Sequence, residues 1–151
     1  MSTSSSSDYK FSEQIGHLLR RAYQRHTAIF QEVVSDSQLT AAQFVVLCCV
    51  RDNGSCQVGE IVRATAIDEA SVRGIVERLK WRELLAVAHQ PGDTRHMLVS
   101  LTPAGRDMIE QTVPFARQIS ERTFGELDAA EREAIVSLLR KISGIDANPA
   151  S

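Results

Sequence analysis

The 151-residue chain lacks the features by which enzymes, metal proteins and membrane proteins are usually identified. It has no nucleophile elbow, no glycine-rich phosphate loop and no spaced set of His, Asp and Glu residues, so we expect no catalysis and no metal or other cofactor. No apolar run approaches the roughly 18 residues of a membrane span, and the N-terminus has no signal-peptide core. The sequence therefore predicts a cytoplasmic protein that is not an enzyme and has no membrane partner.

Cysteine is scarce as well, and it does not form a disulfide framework. The three cysteines include no CxxC pair. Two of them lie in the apolar run FVVLCCV, which predicts that Cys48 and Cys49 pack in the core as small hydrophobic residues. Cys56 lies beside a Gly-Ser turn, where a reactive thiol remains an alternative, although no cationic residue adjoins it in sequence.

A strong excess of positive charge is also missing. The net charge of −2 gives no overall attraction to a polyanion. Residues 10–26 carry four basic side chains against one acidic one, whereas the later segments are balanced or acidic. Any contact with nucleic acid must therefore come from arginines placed together on one face.

What the chain does contain is helical periodicity. Apolar residues recur at helical spacing over residues 11–34 and again from residue 41 to about residue 51. Thr40 and Gln43 form a capping-box pattern at the start of the second of these helices. Because that helix is apolar on nearly all sides, we expect it to be central.

Two shorter helices follow. The first is outlined by Val58, Ile61 and Val62, and Asp68 is placed to cap the second. The inward side of this second helix is formed by Val72, Ile75, Val76 and Leu79. Two short helices joined by a tight turn, the second of them amphipathic, predict a helix-turn-helix.

A β-hairpin is predicted directly after the helix-turn-helix. LLAVAH has the pattern of one strand and RHMLVSL that of the returning strand, while QPGDT supplies proline and glycine for the turn between them. Thr102 and Pro103 then provide an N-cap and a first helical residue, so the hairpin should run straight into a helix. A helix-turn-helix followed by a hairpin is the order of a winged helix.

Two further helices close the chain. One runs from Pro103 to about Phe124 with an expected kink at Pro114, and the last runs from Asp128 to Ile142. A single winged helix is too small to cover their apolar stripes together with that of the first helix, so we expect a homodimer.

The predicted fold is mainly α with a small β-hairpin wing. Residues 1–10 are polar and should form an unfolded tail. Residues 11–145 should form one domain, in which 40–102 are the winged helix-turn-helix and 11–34 together with 103–145 are the dimerisation region.

This arrangement, with the segments IDEASVRGIVERLKWRELL and GDTRHMLVSLTPAGRDM, closely resembles the MarR family of bacterial transcription regulators. The family's wing motif is Asp-x-Arg followed by a strand that ends in Leu-Thr-x-x-Gly. Here it consists of Asp93, Arg95, Leu101, Thr102 and Gly105. The resemblance extends from about residue 11 to residue 142. It implies a homodimer whose recognition helices enter successive major grooves of a palindromic operator in double-stranded DNA, with wing arginines in the minor groove.

The recognition helix departs from the family at one place. A Thr-Arg pair is usual in its middle, whereas this chain has Arg73 and Gly74. The arginine has moved by one residue, which is about 100° around a helix. The family's rules for reading bases therefore do not carry over at this position.

Seven residues are predicted to contact DNA. Arg73 and Arg78 would contact base edges or phosphates, and Gly74 would let the helix backbone approach closely. Arg95 would enter the minor groove, held ready by Asp93. The full set is Ser71, Arg73, Gly74, Arg78, Asp93, Arg95 and His96. The alternative is an ordinary solvated face with a tolerated glycine and an exposed ion pair.

A binding site for a small aromatic carboxylate is also predicted. The segments IGHLLRRAYQRH and ATAIDEASVRGIVERLK resemble the branch of the family that controls breakdown of aromatic acids, including nicotinate-type pyridine acids. His17 and Arg21 would hold the carboxylate of the effector, and Phe44 or Trp81 would contact its ring. A dimer-interface or surface role for His17 and Arg21 stays open, and His26 reads as a core or interface residue.

The sequence thus predicts a ligand-responsive transcriptional regulator, most simply a repressor. A thiol-based redox sensor on the same scaffold is one alternative, although the first helix holds no cysteine. A winged helix that binds only other proteins is another.

Overall fold

The computed structural model of the chain describes residues 5–34, 36 and 38–145, and it describes Gln90, Thr94 and Arg95 by their backbone alone. Within those residues the main elements are α1 Ile15–Val33, α2 Ala41–Asn53, β1 Ser55–Gln57, α3 Val58–Thr65, α4 Glu69–Trp81, β2 Leu85–Gln90, β3 Asp93–Leu101, α5 Pro103–Thr112, α6 Ala116–Phe124 and α7 Ala129–Ile142. The mainly α, winged-helix fold expected from the sequence is confirmed. None of the described helices is long and apolar enough to cross a bilayer.

Helix α2 lies at the centre of the molecule, as its composition predicts. It begins with the expected capping box, in which Thr40 Oγ1 accepts from the Gln43 N–H at 3.1 Å and Gln43 Oε1 accepts from the Thr40 N–H at 3.2 Å. The core around it consists of side chains with almost no exposed surface, including Leu39, Val46, Leu47, Val50, Ile61, Val72, Val76, Leu79 and Val99. The helix-turn-helix and the hairpin therefore share one hydrophobic core.

The sheet has three antiparallel strands in the order β1-β3-β2. The hairpin of β2 and β3 matches the prediction, and Gln90 pairs with Asp93 across a turn in which Gly92 has a φ of 86°. The short strand β1 was not predicted. It pairs with β3 through Cys56 and Val99, and three residues between two helices carry too little periodicity to be identified from sequence.

The wing is joined to α5 without a spacer. Thr102 Oγ1 accepts from the Gly105 N–H at 3.0 Å and donates to the Glu83 carbonyl at 2.6 Å, which ties the start of α5 to the start of β2. A Cβ atom on Gly105 would lie 2.2 Å from the carbonyl oxygen of Leu84, so no side chain fits there. The Leu-Thr-x-x-Gly motif is therefore a structural joint between wing and helix.

The long helix after the wing is interrupted where Pro114 predicts a kink. Residues Val113–Phe115 form a 3-10 turn between α5 and α6. Arg25 of α1 then caps α6, since its guanidinium donates to the carbonyls of Thr123 at 2.5 Å and Arg122 at 2.7 Å. These bonds attach α6 to α1.

The last helix behaves differently from the rest. Helix α7 begins with the predicted capping box at Asp128 and Glu131, but none of its residues is buried within one chain. Its large apolar side chains stay exposed, as do those at the start of α1. They include Ile15, Leu18, Leu19, Tyr23, Ile135, Val136, Leu138, Leu139 and Ile142. Residues 1–4 of the predicted tail lie outside the described residues, and residues 5–10 are exposed.

The cysteines pack as small hydrophobic residues. Cys49 and Cys56 are buried and Cys48 is half-buried. Burial raises the pKa of the Cys56 thiol to about 11 and also raises the pKa values of Cys48 and Cys49. A buried thiol that resists ionisation is a poor nucleophile, so a reactive Cys56 is not supported.

Candidate nucleic-acid interface and effector cavity

Helix α4 presents one polar face to solvent. Its opposite face is buried through Val72, Val76 and Leu79. The four residues predicted to contact DNA on this helix, Ser71, Arg73, Gly74 and Arg78, are all exposed. The sequence therefore placed them correctly on the outer side.

The first turn of α4 is held by Asp68. Its carboxylate accepts from the Ser71 hydroxyl at 2.7 Å and from the Ser71 N–H at 3.0 Å. These two hydrogen bonds lower the pKa of Asp68. Asp68 is thus the N-cap of α4, and the Ser71 hydroxyl, which donates to it, would have to share its bonding to reach a phosphate.

Arg73 and Gly74 shape the middle of the exposed face. Arg73 Nη2 donates to Glu69 Oε1 at 3.1 Å in an exposed pair one turn apart. Such exposed ion pairs contribute little to the free energy of folding, so the guanidinium of Arg73 can exchange Glu69 for another anionic group. Apart from its two neighbours and the backbone of its own helix, no described atom lies within 4 Å of the place where a Cβ of Gly74 would stand, so packing within the chain does not explain that glycine.

The wing brings a second polar group beside α4. Asp93 accepts from Nδ1 of the exposed His96 at 2.5 Å. His96 and Arg73 line one cleft between the wing and α4. The side chain of Arg95 lies outside the described residues, so its predicted pairing with Asp93 stays a prediction.

A separate cavity of about 200 Å³ lies between α1, α2 and the α5–α6 segment. Its walls are mostly apolar, and the rings of Phe30 and Phe44 have centroids 5.8 Å apart. The polar groups of the lining include His26, whose Nδ1 lies 3.0 Å from the Thr123 hydroxyl oxygen, and Ser120. The complete lining is His26, Phe30, Ala41, Phe44, Val45, Thr112, Ala116, Ile119 and Ser120.

The four residues predicted to bind an effector are not brought together in one chain. Phe44 lines the cavity, but His17, Arg21 and Trp81 do not. His17 packs edge-on against Phe11 with centroids 5.1 Å apart, Arg21 is exposed on α1, and the Trp81 side chain is 80% exposed. Trp81 projects from the exposed side of the last turn of α4, as its place on the outward arc predicts, and its contact with the ring of an effector stays a prediction.

His26, which the sequence assigns to the core or an interface, is half-buried and also lines the cavity. Its position one turn before Phe30 was the available signal, because residues four apart share one side of a helix. Both side chains face the same cavity.

Comparison with known proteins identifies the fold. The sequence pattern of the MarR family matches residues 39–97. The HTH-type transcriptional repressor NicR of Pseudomonas putida is 54% identical over 140 residues, which cover 93% of this chain and 89% of NicR.

Solved structures of similar proteins support the same family. The structure that explains regulation of DNA binding of Bordetella bronchiseptica BpsR by 6-hydroxynicotinic acid has a TM-score of 0.84 and 63% identity, and the match covers 90% of this chain and 98% of that one. A mutant of Escherichia coli MarR complexed with operator DNA has a TM-score of 0.77 and 27% identity, and the match covers 89% of this chain and 98% of that one.

Proposed function

Because the chain belongs to the MarR family of transcriptional regulators, we propose that it acts as a homodimeric repressor that a pyridine carboxylate releases from a palindromic operator. Its relatives are DNA-binding regulators, and the chain is a regulator of this kind and not an enzyme. The proposal adds the form of the operator, the contacts to DNA and the effector.

The observation that carries the DNA contacts is the exposed face of α4 beside the wing. Arg73, Gly74 and Arg78 share that face, and Arg73 and His96 border one cleft. A helix in the major groove needs exposed donors and a close backbone approach. On this proposal Arg73 and Arg78 contact bases or phosphates, Gly74 removes a steric obstacle, and Ser71 contacts a phosphate.

The wing completes the proposed interface. Arg95 lies three residues after the turn at Gly92, which is where an arginine can enter the adjacent minor groove. Asp93 and His96 stand on either side of it in the sequence. Asp93 would order the tip of the wing, and His96 would contact a phosphate.

The exposed stripes of α1 and α7 support the homodimer. Apolar side chains of this size on neighbouring turns are costly to leave in water, and a second copy carries the same stripes. Two recognition helices must lie about 34 Å apart to use two successive major grooves. A two-fold dimer therefore favours a palindromic operator.

The cavity supports the effector. Phe30 and Phe44 provide aromatic walls for one ring, and His26 and Ser120 provide polar groups at its edge. One relative points to a pyridine acid: 6-hydroxynicotinic acid regulates the DNA binding of BpsR, while the relative NicR is a transcriptional repressor. His17 and Arg21 do not line the cavity in one chain, so on this proposal they reach the carboxylate only from the partner copy.

The test is operator affinity measured with and without 6-hydroxynicotinic acid. We expect the acid to weaken operator binding tenfold to a hundredfold, which corresponds to about 1.4–2.8 kcal/mol of coupling. His26→Ala should blunt that response while leaving operator affinity without effector nearly unchanged. Benzene-ring and non-aromatic acids of similar size, together with hydrogen peroxide, serve as comparison compounds. Release by peroxide alone would favour a redox sensor instead.

A further inference from the structure

The end of the recognition helix is tied to a distant part of the chain. Arg82 follows the last residue of α4, and its Nη2 donates to Asp36 Oδ2 at 2.6 Å. The two residues are 46 positions apart, and each side chain is only about a quarter exposed (27% for Arg82 and 26% for Asp36). This pair joins α4 to the connection between α1 and α2.

Asp36 accepts two local hydrogen bonds in that connection. Its Oδ1 accepts from the Gln38 N–H at 2.9 Å, and its carbonyl accepts from the Leu39 N–H at 3.2 Å. The carbonyl of the fully buried Leu39 accepts from Gln31 Nε2 of α1 at 3.3 Å. A shift of α1 against α2 therefore moves the carboxylate of Asp36.

The same connection separates the two aromatic walls of the cavity. Phe30 stands near the end of α1, six residues before Asp36, and Phe44 stands in the first turn of α2, eight residues after it. Anything that enters between these rings acts on both helices that flank Asp36. The ion pair thus connects the segment between the two cavity walls to the end of α4.

The pair is poorly suited to being a simple source of stability. Nη1 of Arg82 is buried and has no hydrogen-bond partner in the described part of the chain. Removing such a donor from water is costly, and apolar side chains in the same place often give a more stable protein. Burial favours protonation of Asp36, but its hydrogen bonds with Arg82 and the local backbone lower its pKa overall, so the carboxylate stays charged.

We propose that Asp36 and Arg82 are positioning residues, whose ion pair holds α4 in the orientation that binds DNA and is opposed by an effector in the cavity. The inference rests on the proposed function for the identity of the effector. Neither residue needs to touch DNA or effector. Their role is to set the equilibrium between two arrangements of the chain.

This role has a signature that a general loss of stability does not share. If the pair favours the DNA-binding arrangement, breaking it enlarges the population of the other arrangement. The operator association constant then falls or stays level, while the effector association constant rises or stays level. The effector association constant divided by the operator association constant therefore rises by the same factor as the equilibrium constant between the two arrangements.

The experiment measures both constants for the parent and four variants. Asp36→Asn keeps an oxygen for the Gln38 N–H but removes the charge, and Arg82→Gln removes the other partner. Arg82→Lys keeps a cation and should stay within about threefold of the parent. Glu32→Gln is the matched control, because it breaks the 2.5 Å pair with Arg122 that joins α1 to α6 without touching α4.

We expect the effector-to-operator ratio to rise on the order of tenfold in Asp36→Asn and Arg82→Gln, and to stay unchanged in Glu32→Gln. The effector probe is 6-hydroxynicotinic acid, titrated calorimetrically against the free protein. An unchanged ratio, or both constants falling together, would overturn the inference.

A second arm does not depend on the effector. Energy transfer is measured from Trp81, the single tryptophan, to a fluorescent label at Gln24→Cys on α1. A Cys48→Ser background leaves only the buried native cysteines. Transfer should change in Asp36→Asn and not in Glu32→Gln. If the parent protein does not respond to 6-hydroxynicotinic acid, only the proposed function is overturned. If the energy transfer is identical in all variants, the positioning role is overturned.

Discussion

The winged helix and the terminal helices bury their apolar side chains in different ways. Six of the 13 residues of α2 are buried within one chain, whereas none of the 14 residues of α7 is. The winged helix thus buries its apolar side chains within the chain and displays a polar face, whereas the C-terminal helix is an apolar surface that needs a cover. Substitutions in the winged helix should change either stability or DNA binding. Substitutions in α7 should change dimerisation and, through it, both of the other properties.

The largest effect is expected from charges on α7. Leu138→Glu combined with Ile142→Glu should abolish the dimer at micromolar concentration and leave a chain that aggregates or unfolds. Each of these side chains contributes about 1.5–3 kcal/mol when fully buried, and a two-fold dimer loses each contribution twice. Sedimentation and thermal melting measure the result, with the exposed Ser137→Glu on the same helix as control. A folded double variant that remains dimeric would remove α7 from the interface.

The next largest effect is expected at the joint between wing and α5. Gly105→Ala should destabilise the fold by about 3 kcal/mol, because its Cβ meets backbone that cannot move independently. Chemical denaturation gives the free energy of unfolding. Gly16→Ala is the matched control, since nothing lies within 4 Å of its added Cβ. Equal stability of the two variants would contradict the close approach of Gly105 and Leu84.

A change at the wing tip should separate DNA contact from folding. Arg95→Ala is expected to weaken operator binding by about 1–3 kcal/mol at fixed salt concentration, because one groove contact is lost. The melting temperature should not change. Lys141→Ala on α7 removes a charge away from α4 and the wing, and it should leave operator affinity nearly as in the parent. If Arg95→Ala binds as tightly as the control, the wing does not contribute to binding.

Gly74→Ala should raise the stability of the protein and lower its affinity for the operator. Alanine in a helix interior is favoured over glycine by about 1 kcal/mol, and no neighbour opposes the new methyl group, so the variant should be more stable. The same methyl group should weaken operator binding if the backbone approaches DNA there. Unfolding and operator titrations are compared on one preparation. A gain in stability with unchanged affinity would show that Gly74 is merely tolerated.

The smallest effect concerns Asp36, where the two regions meet. Its folded pKa lies below its ordinary value of 3.8, so its ionised form adds stability above that pH and loses it as the pH falls through the folded value. The difference in unfolding free energy between the parent and Asp36→Asn should therefore shrink below about pH 4. Denaturation curves at pH 7 and at about pH 3 test the sign. A difference that grows on acidification would contradict it.

The sequence predicted most of the fold because its signals are local. The caps at Thr40, Asp68, Thr102 and Asp128 mark helix starts through contacts within three residues, and all four are present. The hairpin and the break at Pro114 likewise follow from neighbouring residues. Strand β1 escaped prediction because three residues become a strand only through a partner more than 40 positions away.

The polar face of α4 was also predictable, whereas only Phe44 of the cavity lining was. Helical periodicity alone puts Arg73 and Arg78 outside and Val76 inside. The cavity depends on how α1, α2 and α6 pack, and no spacing rule links His26 to Ser120. For the same reason the ion pair of Asp36 with Arg82 has no signature in the sequence, since both are ordinary surface residue types.

The joint at Gly105 has a consequence for how the regulator can diversify. The wing is joined to α5 without a spacer, and the C-terminal end of α5 supplies Thr112 to the wall of the cavity. Any side chain at the joint, or any added residue in it, would misalign both ends at once. On the proposed function, changes of operator are therefore confined to the outer face of α4 and the wing turn, and changes of effector to the cavity walls, while the joint between them stays fixed.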